Sequence, residues 1–242
     1  MDIPHYIKTI GRGARGAQAL SRIQATELMG EILDGRISDL ALGAFCVAMR
    51  IKGETADEMC GFVDAAQTRL QWCSSADSTR PLIVIPSYNG ARRLPLLTPL
   101  LALVLAQRGL PVLLHGMPTE EGRTTSAEVL SALGIPALQA PCAIAPGQVV
   151  YQATETLHPG LARLLATRRA IGLRSSGHSL VKLLAPNGSA RAAPSVLLGS
   201  YTHGDYHALM CQCYTQLQRN ALLSRGLEGE VAADPRRHPR YE

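Results

Sequence analysis

Apolar residues recur at helical spacing through residues 3–73. Residues 26–33 place Leu28, Ile32 and Leu33 on one face, and Asp34-Gly35 ends the run. Ser38-Asp39 has the chemistry of a helix start, followed by Leu40, Leu42, Phe45, Val47, Ala48 and Ile51 until Gly53 stops it. Thr55-x-x-Glu58 has capping-box spacing and opens a third helix through Gln67. Short connections between such helices predict antiparallel packing. Residues 74–80, Ser-Ser-Ala-Asp-Ser-Thr-Arg, are polar and read as a linker.

Past residue 80 the period changes. Leu82-Ile83-Val84-Ile85, halted by Pro86, predicts a buried strand. Residues 96–107 predict a helix closed by Arg108-Gly109, residues 111–114 a strand ending at His115-Gly116, and residues 126–133 a helix closed by Gly134. This alternation is the pattern of a parallel sheet with crossover helices. Helices over 159–171 and 205–220 and strands over 195–199 and 221–224 follow. The expected architecture is therefore a helical domain over 1–73, a linker over 74–80, and a mainly parallel α/β domain over 81–242. The closing stretch, residues 234–242, reads as the start of a loop, so the fold is expected to be truncated at its C-terminal end.

Composition narrows the function. Apolar residues are 46% and charged residues 18%, ordinary globular usage that excludes a disordered chain. The apolar runs at 100–106 and 112–114 fall far short of the roughly 20 residues a membrane helix needs. Met1-Asp2-Ile3-Pro4-His5 lacks the basic-then-apolar layout of an export signal, so a cytoplasmic protein without membrane contact is expected. The net charge of +5 is unevenly spread. Residues 1–157 hold 13 Lys and Arg against 14 Asp and Glu, whereas residues 158–242 hold 11 against 5. A field concentrated in one region attracts polyanions. Its centre is Arg163, Arg168, Arg169, Arg174 and Lys182, with Arg191 beyond. From 163 to 174 a helix runs roughly 16 Å, several phosphate spacings of a nucleic acid; a solvated charged helix is the plainer alternative.

Two polar loops follow predicted strands: residues 86–93 and residues 115–126. In open parallel sheets ligands sit beyond the carboxyl ends of the strands, and a glycine loop leading into a helix can offer N–H groups to an anion. Ser87, Asn89, Gly90, Arg92, Arg93, His115, Gly116, Arg123 and Thr124 are the candidate cleft residues; ordinary loops with solvated arginines would look similar. His203-x-x-x-His207 has the spacing of two ligands on one helical face, but no third ligand is evident and no metal site is expected. The six cysteines form no CxxC pair, and Cys211-x-Cys213 has no second pair at zinc-finger spacing, so reduced, mostly buried thiols are expected. No GxSxG elbow supports a serine triad.

Several motifs together resemble a known family: Ile10-Gly11-Arg12-Gly13, Arg50-Ile51-Lys52-Gly53-Glu54, Pro86-Ser87-Tyr88-Asn89-Gly90-Ala91-Arg92, Leu97-Thr98-Pro99-Leu100, His115-Gly116, and Gly229-Glu230-Val231 before Asp234-Pro235-Arg236-Arg237. They are similar to the anthranilate phosphoribosyltransferase fold (glycosyltransferase family 3), and more closely to its divergent bacterial branch, the YbiB family of DNA-binding proteins. The enzymes hold the diphosphate of phosphoribosyl pyrophosphate with a Gly-Thr-Gly-Gly-Asp loop; here Pro86 lacks an N–H and Tyr88 adds bulk. Where they continue His-Gly with Asn-Arg this chain has Met117-Pro118, and Arg123 stands for their lysine. Their magnesium-holding Asp-Glu pair corresponds to Gly229-Glu230. The resemblance thus implies sequence-independent binding of DNA, or of RNA, by a homodimer formed through the N-terminal helices. The arginine cluster and Lys182 would meet the phosphates, with no catalysis and no cofactor. The rival it leaves open is a pentosyltransferase using phosphoribosyl pyrophosphate, magnesium and another acceptor.

Overall fold

The computed structural model of the chain describes residues 3–13, 15–186, 194–234, 236, 238 and 240–242. Arg191, Pro235 and Arg237 lie outside them. The helices are α1 (Ile3–Ile10), α2 (Arg22–Leu33), α3 (Asp39–Lys52), α4 (Ala56–Gln67), α5 (Thr98–Gln107), α6 (Ser126–Ala132), α7 (Thr154–Leu157), α8 (Pro159–Ile171), α9 (Ser176–Leu180) and α10 (Gly204–Gln216). The strands are β1 (Ser74–Ser75), β2 (Leu82–Ser87), β3 (Val112–Gly116), β4 (Ala143–Ile144), β5 (Val149–Ala153), β6 (Ser195–Tyr201), β7 (Ala221–Leu227) and β8 (Glu230–Ala233). They divide between two compact units.

The helical unit comprises Met1–Leu70 together with His158–Leu184. Its helices start where the side chains can cap them. Ser21 accepts from the Gln24 N–H while the Gln24 side chain returns to Ser21, Ser38 caps α3, and Thr55 with Glu58 closes a capping box on α4. Each cap satisfies N–H groups the helix itself cannot. Leu28, Met29, Phe45, Met49, Met59 and Phe62 are fully buried, with the Phe45 and Phe62 rings edge to face at 5.8 Å.

The domain boundary differs from the one expected. Residues 158–184 join the helices instead of continuing the α/β domain. The reason is the apolar stripe Leu161, Leu164 and Leu165 on α8, all buried. The Arg163 guanidinium also donates to Asp39 at 2.6 Å and to the Ile37 carbonyl at 3.2 Å. The presumed linker differs as well: Ser74–Ser75 is a short strand, paired in parallel with Ala143–Ile144.

The α/β unit comprises Gln71–Leu157 and Ala185–Glu242. Its main sheet has the order β5-β3-β2-β6-β7-β8, parallel throughout except for the antiparallel β7–β8 hairpin. All six positions of β2 and all five of β3 are buried, as strands covered on both faces must be. Ile83, Ile85, Val112, Leu114, Leu130 and Tyr151 form the core on one face. Pro86 does not end β2, which runs on to Ser87. The Leu82 N–H points at Pro194 and the Ile83 N–H at Pro111. By alternation, residue 86 faces the β6 side, where pairing stops at Val84, so its missing N–H costs no ladder bond. Strand β5, unmarked in the sequence reading, completes the edge beside β3. Among the described residues no helix is long and apolar enough to cross a membrane.

Candidate functional site

The carboxyl end of β2 leads into the loop that carries Asn89 and Gly90, and the β7–β8 hairpin lies against it. The hairpin turn is forced by two residues at positive φ, Glu228 (51°) and Gly229 (87°). A Cβ on Gly229 would overlap the Asn89 side chain, whose amide donates to the Gly229 carbonyl at 2.8 Å. Glycine is therefore required there both for its backbone and for the close approach.

This turn delivers Glu230, 2% exposed, into the mouth of the loop. One carboxylate oxygen accepts from the Asn89 and Gly90 N–H groups, both at 2.9 Å. The other accepts from the Ser87 hydroxyl at 2.6 Å and the Thr98 hydroxyl at 3.0 Å. Ser87 also meets the Ser126 hydroxyl at 2.6 Å, where α6 begins. Glu228 takes the next N–H groups, from Arg92 (2.7 Å), Arg93 (3.2 Å) and Leu94 (3.4 Å). These bonds, that of Arg92 foremost, hold its carboxyl below the ordinary carboxylate range. Five backbone donors at a strand end are thus filled by two of the chain's own carboxylates. An oxyanion from solution would have to displace them.

The second loop is stitched to the first. Ala91 and Thr124 exchange both backbone hydrogen bonds, at 2.8 and 2.9 Å, and the Arg123 guanidinium donates to the Gly90 carbonyl at 3.2 Å. Gly116 lies so close to the Ser87 carbonyl that a Cβ would overlap it. Of the sequence-predicted cleft residues, Ser87, Asn89, Gly90, Gly116, Arg123 and Thr124 are brought together. His115 is placed otherwise. It is fully buried on β3, its Nδ1 is 2.9 Å from the Tyr88 hydroxyl, and its ring packs edge-on against Trp72 and Tyr88. It is a core histidine, and burial pushes the Tyr88 hydroxyl above its ordinary pKa.

Arg92 and Arg93 are exposed, and their guanidiniums make no hydrogen bond or ion pair with a described residue. A cleft of about 350 Å³ opens beside the hairpin, lined in part by Arg93, Thr202, Arg225, Glu228 and Arg236. The Arg236 guanidinium is held two-pronged by Asp234, both contacts at 2.9 Å.

The predicted phosphate-binding residues all lie in the helical unit, in unequal states. Arg163 is engaged with Asp39 and Ile37. Burial, reinforced by the charges of Arg174 and Arg168, lowers the His178 imidazole to about 4. Arg169 is exposed on the last turn of α8 with no ion pair to a described residue, and Lys182 is half-buried on the 3-10 turn after α9. Sequence reasoning omitted Glu228, Glu230, Thr98 and Ser126 from the site. The acidic turn was visible in the sequence, but only as the remnant of a metal site.

Fold and site define a class: a helical bundle joined to a phosphoribosyltransferase-type α/β sheet whose strand-end glycine loop is closed by two carboxylates. Residues 4–69 match the glycosyl transferase family helical bundle domain. The chain is 38% identical to YbiB of Escherichia coli (strain K12) over 99% of its own length and 75% of that protein's. It is 27% identical to the anthranilate phosphoribosyltransferase of Methylobacterium radiotolerans, covering 76% of this chain and 53% of the enzyme. The anthranilate phosphoribosyltransferase of Thermus thermophilus shares the fold, with TM-score 0.73 at 24% identity over 96% of this chain and 68% of that one. The chain belongs to the YbiB family, a divergent branch of the anthranilate phosphoribosyltransferase-like proteins. It spans about half to three quarters of the length of these relatives.

The Saccharomyces cerevisiae enzyme of this fold is known with phosphoribosyl pyrophosphate and magnesium. Magnesium at such sites takes carboxylates together with substrate phosphates. Here Glu230 spends both oxygens on the chain's own donors, and the Asn89 side chain fills the space a side chain at Gly229 would need. The residues present do not fit a two-carboxylate magnesium site.

Proposed function

We propose that this protein binds nucleic acid without reading its sequence, on a phosphoribosyltransferase-like scaffold that does not transfer phosphoribose to anthranilate. One observation carries the reading. The N–H groups of residues 89, 90, 92, 93 and 94 are taken by Glu230 and Glu228, so anion binding falls to guanidiniums rather than to the loop. The excess of Lys and Arg over Asp and Glu in residues 158–242 supplies them. Homodimerisation through the N-terminal helices belongs to the same reading. Ile23 on α2 and Leu40 and Ile51 on α3 are exposed apolar side chains that a second copy could cover. A dimer raises avidity by presenting two sites on one nucleic acid. The expected location is the cytoplasm.

The test is fluorescence anisotropy with random duplex and single-stranded DNA. Affinity is expected to fall steeply between low and physiological salt, because bound counterions are released. Arg168→Glu, Arg169→Glu and Arg174→Glu together, with Arg163 left to hold Asp39, are expected to abolish binding in a variant still folded by circular dichroism; Arg169→Glu alone should weaken it. Unchanged affinity in both variants would reject this surface. Loss of binding only in Arg92→Ala with Arg93→Ala would move the site to the strand-end cleft. Flat salt dependence would overturn the reading.

A further inference from the structure

The paired histidines of the sequence, His203 and His207, do not converge on one point. His203 is the exposed residue before α10. His207 instead faces Cys211, one turn further along the same helix, and both meet the carboxylate of Glu242. The His207 Nε2 lies 2.9 Å from the Glu242 Oε2, the Cys211 Sγ lies 3.8 Å from that Nε2, and the Sγ lies 3.9 Å from the Oε2. The juxtaposition is built by the fold. The i, i+4 spacing puts His207 and Cys211 on one face of α10. Glu242 is pinned by its backbone: its N–H donates to the Leu223 carbonyl at 3.0 Å, and its carbonyl accepts from the Leu223 N–H at 2.7 Å. The Tyr201 ring, 4.9 Å from the imidazole, covers one side.

From this geometry we infer that His207, Cys211 and Glu242 form a zinc site, with three protein ligands and the fourth position left to water. One nitrogen, one sulfur and one carboxylate oxygen are the donors zinc takes, at about 2.0–2.3 Å each. On a tetrahedron those bond lengths place neighbouring ligand atoms about 3.3–3.6 Å apart. The two sulfur separations lie slightly above that range and the nitrogen–oxygen contact of 2.9 Å below it, so binding requires the His207–Glu242 contact to open by a few tenths of an ångström. Calcium and magnesium take oxygen ligands only, so the imidazole and thiol select against them. On binding, the Cys211 S–H bond breaks, its proton goes to solvent, and a sulfur–zinc bond forms; the imidazole binds through its neutral nitrogen. The bound ion clasps residues 241–242 to α10. The sequence hid this site because its sulfur is one helical turn from His207 and its oxygen is 31 residues away from Cys211.

Cobalt(II) is the probe, because thiolate ligation gives it a near-ultraviolet charge-transfer band and tetrahedral geometry gives it strong visible bands. Titration of the full chain is expected to give both at one equivalent, bleached by zinc. Cys211→Ser should abolish the thiolate band. His207→Ala and Glu242→Gln should each weaken zinc by more than the roughly 10–100-fold that loss of an outer-shell partner costs, read by competition with a chromophoric chelator. Cys142→Ser, which removes the other partly exposed thiol, should change nothing. Absence of a thiolate band in the wild type, or its survival in Cys211→Ser, would leave an ordinary His207–Glu242 hydrogen bond and overturn the inference.

Discussion

Each unit of this chain buries a glutamate, and the two are held by different means. In the helical unit Glu58, with no exposed surface, accepts from the Leu20 N–H (2.9 Å), the Thr55 N–H (2.9 Å) and the Lys52 ammonium (2.7 Å). In the α/β unit Glu230 has four neutral donors, two backbone N–H groups and two hydroxyls. Glu58 is matched by a charge and locks a helix start. Glu230 is matched by dipoles at the end of a parallel strand, where such folds place their anionic ligands. The first carboxylate closes a helix start; the second closes the loop at the end of a parallel strand.

The largest effect expected from this contrast is on Glu58. Glu58→Ala strips the half-buried Lys52 ammonium of its carboxylate, leaving it only the Gly53 carbonyl at 2.6 Å, and orphans two N–H groups, and should cost about 3 kcal/mol by chemical denaturation. Glu230→Gln should cost less, about 1–3 kcal/mol, because the Ser87 and Thr98 hydroxyls can rotate to accept from the amide. A loss at Glu230 equal to that at Glu58 would break the comparison.

Acid separates the units a second way. His178 titrates at about 4 in the fold, against an ordinary imidazole value of 6.5. The unfolded chain therefore takes up its proton first. The stability of the helical unit should be fully present above pH 6.5 and fall as pH drops towards 4, by up to roughly 3 kcal/mol. His178→Asn should flatten that stretch of the profile; an unchanged slope would show that another group is responsible. The smallest expected effect is at Arg163. It joins Asp39 as a partly exposed pair, so Arg163→Ala should lower stability by about 0–1 kcal/mol, measured by thermal denaturation, and leave DNA affinity nearly unchanged.

The fold was legible wherever local chemistry set it. Ser38, Thr55 and Gly53 mark helix ends by capping, and the runs at β2 and β3 are apolar because both faces are covered. Pro86 misled because only the sheet register decides whether its missing N–H matters. The assignment of residues 158–184 was hidden for a similar reason: a stripe of three leucines does not say which unit it packs on. The site was half legible. Asn89 and Gly90 announce an anion loop, but its occupant comes from residues 228 and 230, more than 130 positions later, and long-range pairing leaves no local mark.

Calorimetric titration of phosphoribosyl pyrophosphate with magnesium into the full chain tests the central claim most directly, that the strand-end donors are already filled. The account predicts no saturable binding in the micromolar range and no product with anthranilate. Magnesium-dependent micromolar binding would contradict it, since the carboxylates of Glu228 and Glu230 would then yield their places to a substrate.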